Sequence, residues 1–484
     1  MTIVKQTTNG AFWSFLDILF NKAIYFITTI VLAKILGPSE FGILGMIMIF
    51  VSIGNSLIDS GMSVSIMRSK DPTETDFSTV FIINVGLSIV IYLIMFFIAP
   101  WISVFYNQPI LTNVIRLYCL GFILSSIRGA HTIRLSKLLA FKKILFLNIP
   151  GNILGVIVGI YLGIYGFGVY SLVFMYLTNQ LVSTFIYWTF DRWRPKLIFE
   201  PSNYKMHLKF GYKLVVSSQL NILFENLNYI LLGKFNSAQN LGYYDRAITF
   251  NNYPVSVLTS VIINVSLPIF SKIKNEKDKL RIAYKRLMQI SFFATGIGLA
   301  ILACVSEFLF NSILGKAWEP IIPIFQVLTF AYVLYPIHAL NINVLNLFGK
   351  SDWVLKLEIV KKILYVILVL IGFNYGLLGL AYSTVISSIL ALLINTYYSG
   401  KLIDYPFKNQ LFDLLPILAI VVLMSLILIF SSNFIQFNSS LLKALLLTFL
   451  GVGLTIVLSE IFKLNVYIYL KQIVLQRIMI NKNK

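Results

Sequence analysis

Charge is scarce in this chain. Of its 484 residues only 12% are Asp, Glu, Lys or Arg, about half of what a soluble globular domain carries. That shortage excludes an ordinary soluble enzyme, a disordered chain and a repeat solenoid. Cysteine and histidine are rarer still, at two and three residues. Cys119 and Cys304 lie in apolar runs and form no C-x-x-C pair, so neither a disulfide framework nor a zinc site is expected. His131, His207 and His338 are too scattered for metal-ligand spacing. No P-loop, G-x-G-x-x-G or H-E-x-x-H is present, and no G-x-S-x-G. These absences exclude an ATP-driven pump and a nucleotide-dependent ligase, and no cofactor is expected. The segments between apolar runs on one side are a few residues each, and none holds a carboxylate pair with room for glycosyl transfer. A membrane glycosyltransferase is thereby disfavoured.

Apolar residues, in contrast, make up 58% of the chain at a mean hydropathy of +0.84. They fall in runs near the roughly 20 residues that a helix needs to cross a bilayer. In lipid the backbone must satisfy its own hydrogen bonds, so such runs predict helices. Fourteen spans are expected: 11–36, 41–67, 80–97, 111–127, 145–165, 169–190, 212–232, 247–270, 290–309, 321–348, 354–373, 377–398, 411–430 and 441–462. The first run is too long for a signal segment and has no cleavage pattern, so it is read as a retained helix. The expectation is an all-α polytopic membrane protein.

The net charge of +20 comes from 39 Lys and Arg against 19 Asp and Glu. With the N-terminus placed inside, 32 of those 39 cations fall on inner segments and six on outer ones, with Lys22 inside the first span. One missed or invented span would scramble that asymmetry, so both termini are expected in the cytoplasm. The basic balance reports membrane orientation, not nucleic-acid binding. The basic tail, with Lys471, Arg477, Lys482 and Lys484, suits anionic headgroups.

A shift of 200 residues pairs Asn21 with Asn221, Ile30 with Ile230, Leu32 with Leu232, Lys34 with Lys234 and Gly42 with Gly242. At a slightly larger shift Tyr165-Gly-Phe-Gly-Val-Tyr-Ser171 resembles Tyr375-Gly-Leu-Leu-Gly-Leu-Ala-Tyr-Ser383. Two parallel six-helix repeats are expected: residues 1–200 with spans one to six, and 201–400 with spans seven to twelve. Residues 401–484 add spans thirteen and fourteen and the basic tail. Transporters built from such parallel repeats bind substrate between the halves near the midplane.

An ionisable group at the bilayer centre costs about 2.5–3.5 kcal/mol on insertion scales, so it marks a wet cavity or a partner. The first span carries Asp17, Asn21 and Lys22, the first two on one face at i,i+4. Asp59 lies in the second span, Asn221 and Glu225 in the seventh, and Arg246 at the outer end of the eighth. These equivalent helices of the two repeats would line one cavity. Its inner mouth would be basic, with Arg68, Arg128, Arg134 and Arg192 among its cations, a field that suits phosphate. His338 is read as a packing residue.

Particular stretches carry a resemblance. They are Leu36-Gly-Pro-Ser-Glu-Phe-Gly42, Ile58-Asp-Ser-Gly-Met62 with Arg68, Ala99-Pro-Trp-Ile102, Gly166-Phe-Gly-Val169, Arg192-Trp-Arg-Pro195, Phe210-Gly211, Leu241-Gly-Tyr-Tyr-Asp-Arg-Ala247, Leu267-Pro268 with Phe270-Ser271, and Gly349-Lys-Ser-Asp352 with Leu357-Glu358. Over about residues 1–400 the chain resembles Wzx-type polysaccharide export flippases, nearest the WzxC-like branch, of the multidrug/oligosaccharidyl-lipid/polysaccharide superfamily. The resemblance implies a V-shaped pair of bundles and alternating access. It implies that an undecaprenyl-pyrophosphate-linked oligosaccharide crosses the bacterial inner membrane for surface polysaccharide assembly. Lys22, Arg68 and Arg246 would then hold pyrophosphate, with Asn21 and Asn221 near the sugars. Asp17, Asp59 and Glu225 would serve ion coupling, to H+ or Na+. Lipid-linked oligosaccharide and membrane lipids are the implied partners, with polysaccharide polymerase and chain-length proteins as candidates beside them, and a monomer would suffice. The rival within the same fold is a cation-coupled drug or metabolite antiporter.

Overall fold

The computed structural model describes residues 3–482 except 197, 199, 436 and 438. The side chains of 3–11, 202–211, 213, 214, 474 and 477–482 lie outside the description. The chain forms two compact units, Met1–Asp245 and Arg246–Lys484. Every regular element among the described residues is helical.

The first unit contains α1 (Ile3–Leu36), α2 (Pro38–Asp59), α3 (Met62–Arg68), α4 (Glu74–Tyr106), α5 (Leu111–Tyr118), α6 (Leu120–Lys137), α7 (Phe141–Ile164), α8 (Val169–Phe190), α9 (Pro201–Glu225), α10 (Leu227–Phe235) and the start of α11 (Ala238–Lys272). The chain reverses from α1 to α2 at Gly37, whose φ of 78° is open to glycine, and Pro38 then opens α2 without losing a hydrogen bond. The expected second span continued to residue 67. Instead α2 stops where Ser60 and Gly61 both turn left-handed, at φ 49° and 67°. The third span starts earlier than its apolar run, because Thr73 and Asp76 form a reciprocal capping box: Thr73 N donates to Asp76 Oδ2 at 2.7 Å and Asp76 N to Thr73 Oγ1 at 3.2 Å.

Two close approaches hold this unit together. A Cβ on Gly151, Gly155 or Gly159 of α7 would come within 2.1 Å of Ser183 Oγ, 2.8 Å of Met175 O or 2.9 Å of Met175 Cβ on α8. Bare glycine lets these two backbones meet, the usual way lipid-embedded helices associate. At the other site, a Cβ on Gly42 would sit 1.6 Å from Ala238 O, and one on Gly242 1.9 Å from Pro38 O. The two glycines that the 200-residue shift pairs therefore face each other across α2 and α11.

The second unit contains the remainder of α11, then α12 (Lys277–Ile313), a 3-10 turn (Lys316–Trp318), α13 (Ile321–Val333), α14 (Tyr335–Leu347), α15 (Ser351–Phe373), α16 (Gly376–Leu402), α17 (Phe407–Phe434), α18 (Ser440–Ile461) and α19 (Asn465–Lys482). The expected tenth span divides at Leu334, just ahead of Pro336. One apolar core packs Tyr284, Met288, Leu340, Tyr405 and Ile417; a second packs Ile301, Met424, Leu428 and Leu447.

Among the described residues, twelve helical segments are long and apolar enough to cross a membrane. Two expected spans are not among them. The seventh falls on α9 and α10, much of it outside the described side chains. The eleventh falls on α15, whose first half carries Asp352, Lys356, Glu358, Lys361 and Lys362.

Candidate functional site

A chain of polar side chains crosses three apolar helices of the first unit. Asn21 Nδ2 on α1 donates to Asp17 Oδ1 at 2.9 Å, one turn below it. Asn152 of α7 donates to Asn21 Oδ1, and Asn179 Nδ2 of α8 donates to Asn152 Oδ1 at 2.7 Å. Asn148, one turn before Asn152, lies beside Asp17 and accepts from Tyr187 Oη at 3.3 Å. The Tyr187 ring lies 5.7 Å from the Arg128 guanidinium carbon. The α7 glycine stripe makes this possible: without it, Asn152 and Asn179 could not reach each other. Interhelical hydrogen bonds in lipid average about 0.6 kcal/mol. The two interhelical bonds here, Asn152 to Asn21 and Asn179 to Asn152, tie α1, α7 and α8 together, while Asp17 itself accepts from Asn21 of its own helix. Among the described residues no three His, Cys, Asp or Glu side chains converge as for a transition metal.

The other expected site residues are spread out. Lys22 is half-buried on α1 beside Asn21. Asp59 ends α2 and accepts from Ser63 Oγ, while Arg68 ends α3 and is exposed. Asn221 and Glu225 lie on the last turns of α9, both exposed. Arg246 is 6% exposed and follows Asp245, which accepts from Tyr229 Oη at 2.9 Å. The Leu-Gly-Tyr-Tyr-Asp stretch thus has a packing function too: Gly242 meets α2, and Tyr244 Oη accepts from Asn228 Nδ2 at 2.6 Å. Of the eight residues singled out, the structure joins Asp17 and Asn21 directly. It adds Asn148, Asn152 and Asn179, which the sequence reading missed. For Asn148 and Asn152 the signal was available: two asparagines at i,i+4 inside an apolar run. His338 is held within the second unit by Ser388 Oγ at 3.1 Å and Asn395 Nδ2 at 3.5 Å, in keeping with a packing role.

At one end of the first unit, the Arg192-Trp-Arg-Pro195 stretch closes over a second cluster. Asp191 follows the last turn of α8 and accepts from His131 Nδ1 at 2.8 Å and Lys143 Nζ at 2.6 Å. Trp188 and Trp193 flank the His131 ring at 5.3 and 5.0 Å. Burial pushes the Asp191 carboxyl up, but the bonds from His131 and Lys143 outweigh it and hold the group below the usual carboxylate range. Trp193 Nε1 donates to Glu74, and Arg134 lies 3.8 Å from the same carboxylate. The cluster is a clamp on α6, α7 and α8.

The second unit holds an apolar cavity of about 900 Å³ between α12, α13, α14, α16 and α17. Phe292, Phe330, Ile389, Leu418 and Val422 face it, with Glu307, Gln326 and Ser432 among its few polar groups. Its volume and lining suit a hydrocarbon chain.

Comparisons with known proteins agree with this architecture. The family model for polysaccharide biosynthesis proteins matches residues 31–323. Lipopolysaccharide biosynthesis protein WzxC of Escherichia coli strain K12 is 26% identical over 401 residues, covering 82% of this chain and 81% of its own. Teichuronic acid biosynthesis protein TuaB of Bacillus subtilis strain 168 is 24% identical, covering 72% and 73%. Among solved structures, the lipid II flippase MurJ in an inward closed conformation superposes with a TM-score of 0.75 over 92% of this chain and 98% of its own, at 17% identity. The chain shares that fold.

Proposed function

Because this chain belongs to the polysaccharide biosynthesis protein family, we propose that it is a flippase that moves a lipid-linked oligosaccharide across the bacterial inner membrane for surface polysaccharide assembly. The observation that carries the reading is the coincidence of two matches: a family match over residues 31–323, and a fold shared over 92% of the chain with a lipid flippase. The protein carries its substrate and does not transform it.

In this account the chain crosses the membrane fourteen times, both termini inside, as two six-span repeats with two further spans, and works by alternating access. The Asp17–Asn21–Asn148–Asn152–Asn179 cluster is the coupling site, taking up H+ or Na+. Asp59 and Glu225 are further coupling candidates, and no other cofactor is required. Lys22, Arg68 and Arg246 attract the pyrophosphate, since cations bind phosphate oxygens by charge-assisted bonds. Asn221 and the abundant tyrosines serve as sugar contacts. The apolar cavity of the second unit takes the polyprenyl chain, whose hydrocarbon packs against its lining as it does against lipid. Polymerase and chain-length proteins are candidate partners downstream, and the protein acts as a monomer.

The experiment is removal of the gene from its host, extraction of polyprenyl-linked lipids, and complementation with Lys22→Ala and Arg246→Ala. The expected result is accumulation of complete lipid-linked repeat units with loss of surface polymer, graded by the two substitutions. Normal lipid-linked sugars together with new sensitivity to cationic dyes would replace the flippase by the antiporter of the same fold.

A further inference from the structure

The second unit has a basic cavity that the transport account does not use. About 360 Å³ in volume, it lies between the first turns of α12 and the start of α19. Ile282, Lys285, Arg286, Gln289 and Ile290 line it from α12; Asn465, Val466 and Tyr469 line it from α19. Ile282 and Arg286 are one turn apart on α12, as are Asn465 and Tyr469 on α19, so each helix presents one face to the space. The Arg286 guanidinium carbon stands 5.1 Å from the Tyr469 ring centroid. Among the described residues, no carboxylate lines the cavity.

A neighbouring cavity shares Ile282 and Lys285 but differs in charge. Its lining includes Asp413, which accepts from Lys285 Nζ at 2.6 Å and from Tyr405 Oη. Lys285 is therefore already neutralised on that side. Arg286 is exposed, and among the described residues no carboxylate lies within ion-pair distance of it. Of the two spaces, only the carboxylate-free one selects an anion.

Position decides which anion. Residues 272–286 carry seven Lys and Arg against Glu276 and Asp278, and the apolar run of α12 begins at Ile290. The cavity thus sits where the helix passes from a basic aqueous end into the membrane. Ile282, Ile290 and Val466 give it an apolar wall beside its cations. The start of α19 is a fixed wall and not a loose tail: Leu464 and Val466 are buried in the apolar core that holds Tyr284 and Tyr405, and Lys471 Nζ bridges Glu460 Oε1 at 2.7 Å. Basic pockets between membrane helices at this depth suit phospholipid headgroups.

We infer that this cavity is a binding site for the phosphate of an anionic glycerophospholipid, gripped by Arg286 against Tyr469, with the acyl chains running along α12 past Ile290. The site ties α19 to the inner leaflet and is separate from the transport substrate. The test uses purified full-length protein in a neutral maltoside detergent, its melting temperature followed as short-chain phosphatidylglycerol, phosphatidylcholine or inorganic phosphate is added. Phosphatidylglycerol should raise the melting temperature, and the other two should not at matched concentration. Arg286→Gln should raise the phosphatidylglycerol concentration for half-effect about tenfold, the loss of one charge-assisted contact. Tyr469→Leu, which keeps the cation, should weaken it several-fold. Lys279→Gln, on the same basic stretch but outside the cavity, should match wild type. An unchanged response in Arg286→Gln and Tyr469→Leu would overturn the site, and a full response to inorganic phosphate would overturn the lipid as its ligand.

Discussion

At the scale of single residues, polar groups inside apolar helices are the costly choices that need partners. Asn152 links Asn21 to Asn179, so Asn152→Leu breaks two interhelical bonds at once. It should lower stability in detergent by about 1–2 kcal/mol and reduce transport, as read by unfolding and by surface-polymer complementation. Asp17→Asn should fold but lose dependence of transport on the coupling ion. Asp191 gives the pH test. Its folded pKa is depressed, so its contribution is complete above the unfolded value of about 3.9 and disappears as pH falls through the lower folded value. Melting temperature should therefore drop steeply below about pH 4 in wild type. Asp191→Asn should be less stable at neutral pH by about 1–3 kcal/mol, with a flatter acid limb. Asp17 and Asn21 were legible in the sequence, because an acid and an amide at i,i+4 stand out in an apolar run. Asn179 was not. A lone amide in a span has the same letters whether it faces lipid, a packing partner or a relay, and only the glycine-enabled contact of α7 and α8 decides.

At the scale of elements, apolar run length located the helices well and their ends poorly. The ends are set by other chemistry: the capping box at Thr73 and Asp76, the left-handed pair Ser60 and Gly61, the break ahead of Pro336. None of these changes hydropathy. Helix contacts follow the same logic. Gly42 and Gly242 read as a repeat signature in sequence; in the structure each is also the spot where a neighbouring backbone arrives. Gly42→Ala puts a methyl into Ala238 O and should destabilise by more than about 2 kcal/mol, since the obstacle is backbone. Gly129→Ala on α6 meets nothing within 4 Å and should be neutral or gain up to about 1 kcal/mol of helix propensity. Unfolding of the two variants side by side checks the contrast.

At the scale of the whole molecule, the distribution of charge organises everything else. On the fourteen-span topology expected from the sequence, thirty-two of 39 cations fall on one set of connections, a bias that would orient the chain and attract phosphate to that side. Single cysteines test that orientation: one at Asn236 should be labelled from outside intact cells by an impermeant reagent, and one at Lys279 only after permeabilisation. Under the proposed function, the basic residues, the polar relay and the apolar cavity all serve lipid transport. The most direct measurement of that purpose is transbilayer movement itself. The purified protein would be reconstituted into vesicles with a fluorescent polyprenyl-pyrophosphate oligosaccharide, and the fraction of lipid reached by an impermeant quencher followed over time. The account predicts that wild type exposes the inner-leaflet pool to the quencher, and that Arg246→Ala slows the exchange at least about tenfold, the loss of one charge-assisted phosphate contact. Exchange no faster than in protein-free vesicles, with the coupling ion supplied, would contradict it.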